Sequence, residues 1–203
     1  MNRLILIILI ISVCFPVFGQ KAIDYEHRSI QKKLRKYDCS KDFHLKELVI
    51  PEFIDDTDEP NGKYFLIEDN ACDPNAKYIF IGRVNTCRSG GCVVHYDGSS
   101  GINYEYFDFF IVFTEVGDVE AIKVFKYEAT HGHEVTARGW LKQFRSYTGE
   151  SDLVVGKDIN GISGATTSVY SITYEIQERT KRLKKSLAYY KDSISSNNVQ
   201  KIK

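Results

Sequence analysis

Two strand-like runs joined by a three-residue turn constrain the fold of this chain more than any other segment. Both runs, 104–115 and 119–127, are rich in aromatic and β-branched residues, which favour strands. Val116-Gly117-Asp118 supplies a turn between them, so the pair predicts an antiparallel β-hairpin. An antiparallel sheet is therefore expected, to which shorter β-rich runs contribute at 48–50, 63–68, 77–84 and 92–96.

Apolar residues at helical spacing mark segments on both sides of these strands. Helices are expected over 24–37 and 135–147, and a long one from Thr167 to about Asp192. The polar tail, 193–203, is expected to be frayed. We therefore predict a single α+β domain, in which an antiparallel sheet is packed with helices and a long C-terminal helix ends the fold.

The first 19 residues, 1–19, have the pattern of a signal peptide. Arg3 gives the positive start, an apolar run follows from Leu4 to Phe18, and small residues precede a cleavage point before Gln20. The run is shorter than the roughly 20 residues of a membrane span. An exported protein is predicted, with a lipoprotein attached through Cys14 and a retained anchor as the less favoured alternatives.

The charge balance argues against a nucleic-acid partner. The chain has 27 basic and 27 acidic residues, and loss of Arg3 with the signal peptide would leave 26 against 27. Nucleic-acid binders need a strongly basic surface. Basic residues cluster at 32–36 and 181–185, where solvated helix faces are the expected interpretation.

Four cysteines would remain in the exported protein. An even number there indicates two disulfides, with three possible pairings. Cys87 and Cys92 enclose a short glycine-containing segment and can close a local loop, so this pair together with Cys39–Cys72 is preferred. A redox-active Cys87–Cys92 pair and a four-cysteine zinc site are disfavoured, because Cys-x-x-Cys spacing is absent.

Ser163-Gly164-Ala165-Thr166 lies where a loop is predicted to meet the long helix. It brings a hydroxyl to the first helical turn among small side chains, and the free N–H groups of a helix start favour a phosphate. Gly164 and Ala165 allow a flat cofactor or another protein to approach the backbone closely. Upstream stands the segment Gly139-Trp140-Leu141-Lys142-Gln143-Phe144.

These segments resemble the FMN-binding domain family, which includes flavin-carrying subunits of the Rnf complex and of the sodium-pumping NADH:quinone reductase. Ser-Gly-Ala-Thr is similar to the flavinylation motif of that family, and Trp-Leu-Lys-Gln-Phe to a segment that often precedes it. The resemblance implies an FMN-binding core over 104–192 whose long C-terminal helix follows the flavin loop. The preceding part, 20–103, is expected to hold a helix, β-rich runs and the disulfides.

The resemblance implies that FMN is joined through its phosphate, as phosphothreonyl-FMN, to Thr166, within a site that includes Ser163, Gly164 and Ala165. A separate flavin transferase, using FAD and a divalent metal, would form the ester. Thr167 is the second candidate, although helix capping together with Ser168 is the favoured interpretation of its hydroxyl.

One position departs from the family pattern. An acidic residue usually stands three positions before the serine, and this chain has Asn160 there, with Asp158 two residues earlier. The sequence leaves open whether Asn160 permits attachment.

His131-Gly132-His133-Glu134 is interpreted first as a polar loop, and a metal site is the least favoured alternative. In the family this region lies close to the isoalloxazine ring, so the resemblance implies a flavin-facing role for His131, His133 or Glu134. Trp140 and Phe144 are four apart on a helix, which favours a core pair. Trp140 is the second residue for which the resemblance implies a place beside the flavin.

The function implied is that of an extracytoplasmic electron carrier without catalytic residues of its own. It would serve a membrane or periplasmic redox partner, in the periplasm or on the surface of a Gram-negative bacterium. A phosphoester would prevent loss of the flavin by dilution. The alternative is a secreted, disulfide-stabilised binding module without flavin, in which Ser-Gly-Ala-Thr only starts a helix.

Overall fold

The computed structural model describes residues 22–37, 39, 43–54, 61–69, 72–86 and 105–200. The signal peptide, the strand predicted at 92–96 and the Cys87–Cys92 pair lie outside these ranges. Within them the fold is the predicted α+β domain.

Five antiparallel strands form one sheet in the order β1-β2-β3-β4-β5. The predicted hairpin is present as the last two strands, joined by a turn in which Gly117 takes a φ of 83° and donates its N–H to the Thr114 carbonyl. The strands are β1 His44–Leu48, β2 Gly62–Glu68, β3 Tyr78–Thr86, β4 Glu105–Phe113 and β5 Val119–Tyr127.

The first strand differs from the prediction at 48–50. It ends at Leu48, which pairs with Tyr64, and none of its five side chains is fully buried. An edge strand of this kind is held by main-chain hydrogen bonds and carries little apolar pattern. Pro51 lies beyond its end and lacks the N–H that a ladder requires.

The helices cover both faces of the sheet. They are α1 Arg28–Leu34, α2 Arg138–Leu141 and α3 Thr166–Gln200. Short 3-10 turns follow α1 at Arg35–Tyr37 and flank α2 at His133–Thr136 and Lys142–Phe144.

Two helix predictions need correction. The helix expected over 135–147 is a series of short turns, because Ala137 is extended, at a ψ of 121°, and interrupts it. The long helix continues to Gln200, beyond the predicted end at about Asp192. No residue in 193–200 is Gly or Pro, the two residues that oppose a helix most strongly.

The sheet separates two apolar clusters. On one face Ile30 and Leu34 of α1 are buried with Phe110 and Val112 of β4. On the other face α2 and α3 pack over the alternate residues of β4: Phe107, Phe109, Ile111 and Phe113. No helix in the described ranges is long and apolar enough to cross a membrane.

The Cys39–Cys72 disulfide predicted from the sequence is present and ties the segment after α1 to the loop between β2 and β3. It closes a loop of 33 residues, which restricts the unfolded chain. Replacing both cysteines with alanine should lower the free energy of unfolding by about 3 kcal/mol, measured by urea denaturation under oxidising conditions. An unchanged urea midpoint would show that the bond contributes nothing to stability.

Candidate functional site at the start of α3

The Ser163–Thr166 segment is an open turn followed by the first residue of α3. Gly164 takes a φ of 78°, a conformation that glycine adopts without strain. A Cβ built on it would meet no other atom within 4 Å, so the space above it is open. Ala165 is buried in the core and donates its N–H to Ile162, and this contact anchors the turn. Ser163 and Thr166 are exposed on either side of that anchor.

The helix begins one residue before the predicted start at Thr167. α3 starts at Thr166, and the bond from the Val169 N–H to the Ala165 carbonyl, 2.9 Å, belongs to its first turn. The first N–H groups of a helix have no acceptor within the helix. Together with the dipole of a 35-residue helix, they favour negative charge at this point.

Thr167 and Ser168 lie inside the first turn and not at the expected cap position. Thr167 is exposed, as Thr166 is. Ser168 is buried, and its hydroxyl lies 3.4 Å from the hydroxyl of Tyr127 on β5. Ser168 therefore contacts the sheet, and the two threonines before it are exposed.

The loop before the motif is bonded to the Trp-Leu-Lys-Gln-Phe segment. The Trp140 indole donates to the carbonyl of Asn160 at 2.8 Å, and the N–H of Asn160 donates to Gln143 at 2.9 Å. The Gln143 amide also donates to the carbonyl of Trp140. The two segments on which the resemblance rests are thus in direct contact. Gln143, to which no sequence pattern assigns a separate role, joins them together with Trp140.

Asn160 contributes main-chain groups to this contact, and the residue is exposed. Asp158 has a different role, because its carboxylate accepts the N–H of Val154 at 2.9 Å while its own N–H donates to the Val154 carbonyl. Asp158 therefore stabilises the loop. Both bonds of Asn160 are made by its main chain, so a change of its side chain does not remove them.

The His131–Glu134 loop is held against α3 by Tyr127. The Tyr127 hydroxyl donates to the carbonyl of His131 at 2.5 Å, and its ring meets that of His133 edge to face at 5.2 Å. Burial raises the pKa of Tyr127, and nearby Glu134 and Glu105 act in the same direction against the hydrogen bond with Ser168. Tyr127 therefore remains a proton donor at neutral pH.

This loop meets α3 at Ser168, next to which Gly132 lies. Residues two apart on a helix project about 200° from each other. The contact therefore lies on a different side of α3 from the Thr166 side chain. His131, His133 and Glu134 are exposed, and Trp140 is half-buried beside Asn160.

Two tyrosines that the sequence did not assign lie on the same face as Thr166. Tyr170 and Tyr174, one and two turns further along α3, are 56% and 58% exposed. The carboxamide oxygen of Asn85 is buried and has no hydrogen-bond partner among the described residues. These three side chains line an open hollow of about 350 Å³, together with Asn61, Val84, Ser171 and Glu175.

Metal-ligand geometry is confined to one place in the described ranges. The only three cysteine, histidine or acidic side chains there with ligand atoms within 4.8 Å of one another are Cys39, Asp69 and Cys72. Both sulfur atoms are already joined in the disulfide. The cluster is therefore part of the disulfide region.

Gly132 is required where the loop touches α3. It takes a φ of 86°, and a Cβ there would lie 2.5 Å from the Ser168 hydroxyl. Gly132→Ala should therefore lower the free energy of unfolding by about 2 kcal/mol. Gly139→Ala is the matched control, because its Cβ would meet nothing within 4 Å and alanine favours the helix. Equal thermal midpoints for the two variants would contradict the prediction.

No model of a known protein family matches this chain, and no curated protein is significantly similar to it.

Proposed function

We propose that the protein is an exported flavoprotein of the FMN-binding-domain type, carrying FMN as a phosphoester on Thr166, and that it acts as an extracytoplasmic electron carrier. The observation that carries the proposal is the position of Thr166, exposed as the first residue of a long helix beside an open Gly164 turn. A modifying enzyme can reach this hydroxyl without moving the core.

The residues present fit a phosphate-linked flavin. The N–H groups and dipole at the start of α3 favour the negative phosphate. Tyr170 and Tyr174 offer exposed aromatic surface on the same face, and the hollow beside them contains the unpartnered oxygen of Asn85. A flavin has a flat ring system and donor groups that suit these features.

The attachment step requires no redox change. The Thr166 hydroxyl oxygen attacks the phosphorus in the FMN half of FAD, an oxygen–phosphorus bond forms, and the bond to the AMP half breaks. AMP leaves, and the hydroxyl proton passes to solvent. A flavin transferase with its divalent metal activates the hydroxyl, since threonine is a weak nucleophile by itself.

Once attached, the isoalloxazine supplies the redox chemistry, and the protein supplies position and access. The partners are then the flavin transferase and a membrane or periplasmic redox protein. The Cys39–Cys72 disulfide is in keeping with an oxidising compartment, such as the periplasm or cell surface of a Gram-negative bacterium. A covalent bond retains the cofactor there.

The test is the intact mass of the mature protein, made with and without a co-expressed flavin transferase. The expected result is a gain of one FMN less one water only when the transferase is present. The same transferase must modify a known acceptor in parallel. No gain under those conditions would contradict the proposal.

One observation favours the alternative of a secreted binding module without flavin. Asn160 stands in place of the usual acidic residue. Asn160→Asp distinguishes the two functions, because it restores an acidic residue and keeps both loop bonds, which are made by the main chain of this residue. If the transferase attaches flavin to Asn160→Asp and not to the unaltered protein, Thr166 is accessible to the enzyme but Asn160 prevents its modification. That result favours the binding module.

A further inference from the structure

A cleft far from the motif combines a cationic rim with an apolar floor. It lies between α1, β5 and α2, has a volume of about 290 Å³, and does not include α3. Its lining includes five basic side chains and the apolar residues Ile122, Val124 and Leu141.

Five cations from four separate elements converge on this cleft. Lys32 and Lys33 come from α1, Lys36 from the turn after it, Lys123 from β5 and Arg138 from α2. In the part of the chain that the structure describes, none of the five is within 4 Å of a carboxylate oxygen. Positive charge is therefore gathered here without an ion-pair partner among the described residues.

The nearby carboxylate of Glu120 is already in use. It accepts hydrogen bonds from Arg145 at 2.8 Å and from the Tyr37 hydroxyl at 3.4 Å. Its charge acts on Lys33 but does not neutralise the group of five.

The surroundings of the cleft disfavour the charged forms of two of its lysines, Lys33 and Lys123. Burial lowers the pKa of Lys33, and Arg138 and Lys36 lower it further against the opposing charge of Glu120. Burial lowers the pKa of Lys123 as well, and Lys32 and Lys36 add to the effect. A bound anion would relieve the repulsion and restore favourable surroundings for these charges.

Protection of a sheet edge does not explain the whole group. Lysine on a last strand such as β5 discourages edge-to-edge association, which accounts for Lys123. The other four cations belong to helices and turns on either side of the strand. Solvated helix faces, the interpretation expected from the sequence, do not account for their convergence on one cleft.

The floor of the cleft is apolar. Val124 and Leu141 are buried, and Ile122 is half-buried beside them. An inorganic ion would leave the accessible part of Ile122 uncovered, whereas a ligand with a short apolar body would cover it. The volume is at the small end for ligand sites, which limits the ligand to a small molecule.

We infer that this cleft binds a small organic dianion, a phosphate monoester or dicarboxylate on a short apolar body. The charged end contacts the lysines and Arg138, and the apolar end covers the accessible part of Ile122. This site is independent of the flavin, because no residue of α3 lines it.

The experiment is calorimetric titration of the mature protein with four probes at low salt. Phenyl phosphate and phthalate carry two charges on a ring, inorganic phosphate lacks the ring, and phenol lacks the charge. The ring-bearing dianions should bind roughly tenfold more tightly than inorganic phosphate, with no measurable binding of phenol. Preference for one ring-bearing dianion identifies which charged group the site recognises. Equal affinity for phenyl phosphate and inorganic phosphate would overturn the role of the apolar floor.

The matched variants test the location of the site. Lys33→Gln combined with Lys123→Gln should weaken phenyl phosphate binding by roughly tenfold or more. Lys157→Gln with Lys185→Gln makes the same change in charge at exposed positions outside the cleft and should leave binding unaltered. Arg138→Glu, at an exposed residue that should not affect folding, provides a second test and should also abolish tight binding. Equal binding by the cleft variants and the control pair would overturn the inference.

Discussion

Thr166→Ala is expected to abolish covalent flavin attachment, whereas Thr167→Ala is expected to leave it intact. Both threonines are exposed in the first turn of α3, so exposure does not distinguish them. Only Thr166 directly follows the buried Ala165 anchor, and it lies about 100° around the helix from Thr167. A transferase that binds at the open Gly164 turn would therefore reach the Thr166 hydroxyl and not that of Thr167, which projects in another direction.

The measurement is intact mass after co-expression with the transferase, supported by flavin fluorescence that survives denaturation. Neither variant removes a buried contact, so each should unfold within about 0.5 kcal/mol of the unaltered protein. Flavin on Thr166→Ala and none on Thr167→Ala would move the attachment point by one residue. Equal flavin on both variants would exclude a single attachment point at either threonine.

The sheet can be predicted where strands carry a strong apolar pattern. β4 is buried over Phe107 to Phe113, and its aromatic content is enough to predict the hairpin. The bounds predicted for β1 are wrong because its pairing is made by main-chain groups that the side chains do not reveal. The break at Ala137 has only a weak signal in the sequence, because alanine itself favours a helix and the nearest residue that disfavours one, Gly139, stands two positions later.

The site can be predicted only in part. The local sequence predicts a helix start next to the Ser-Gly-Ala-Thr motif, and α3 begins at Thr166, one residue before the predicted Thr167. The contact between Asn160 and Gln143 depends on two loops meeting in space, and 17 residues separate them in sequence. Tyr170 and Tyr174 follow Thr166 at intervals of four residues, which predicts that the three share one face of the helix. Whether that face is exposed depends on which other face packs on the sheet, and the sequence alone does not give this.

A buried ion pair is also hidden from the sequence, because charged residues in strands usually face solvent. Arg83 on β3 and Asp108 on β4 are cross-strand neighbours, and they are 4% and 0% exposed. Their two hydrogen bonds measure 2.7 and 3.1 Å. The guanidinium of Arg83 also lies 3.6 Å from the centre of the Tyr106 ring, and Lys126 is 3.8 Å from the Asp108 carboxylate.

Asp108→Ala should therefore lower the free energy of unfolding by about 4 kcal/mol, because it leaves Arg83 charged and buried without a counter-charge. Urea denaturation measures the effect. Glu47→Ala is the control: its salt bridge to Lys63 is 2.8 Å long, but the two side chains are 49% and 46% exposed. That bridge should contribute less than about 1 kcal/mol, since solvent screens it.

The double variant Arg83→Met with Asp108→Leu tests whether the loss of stability in Asp108→Ala comes from charge or from packing. If the loss in Asp108→Ala comes from an uncompensated charge, removing both charges should recover most of it, because apolar residues of similar size can replace a buried pair. A double variant as unstable as Asp108→Ala would instead show that the lost stability comes from side-chain packing around these two positions. A loss in Asp108→Ala no greater than in Glu47→Ala would show that Arg83 finds solvent once its partner is gone.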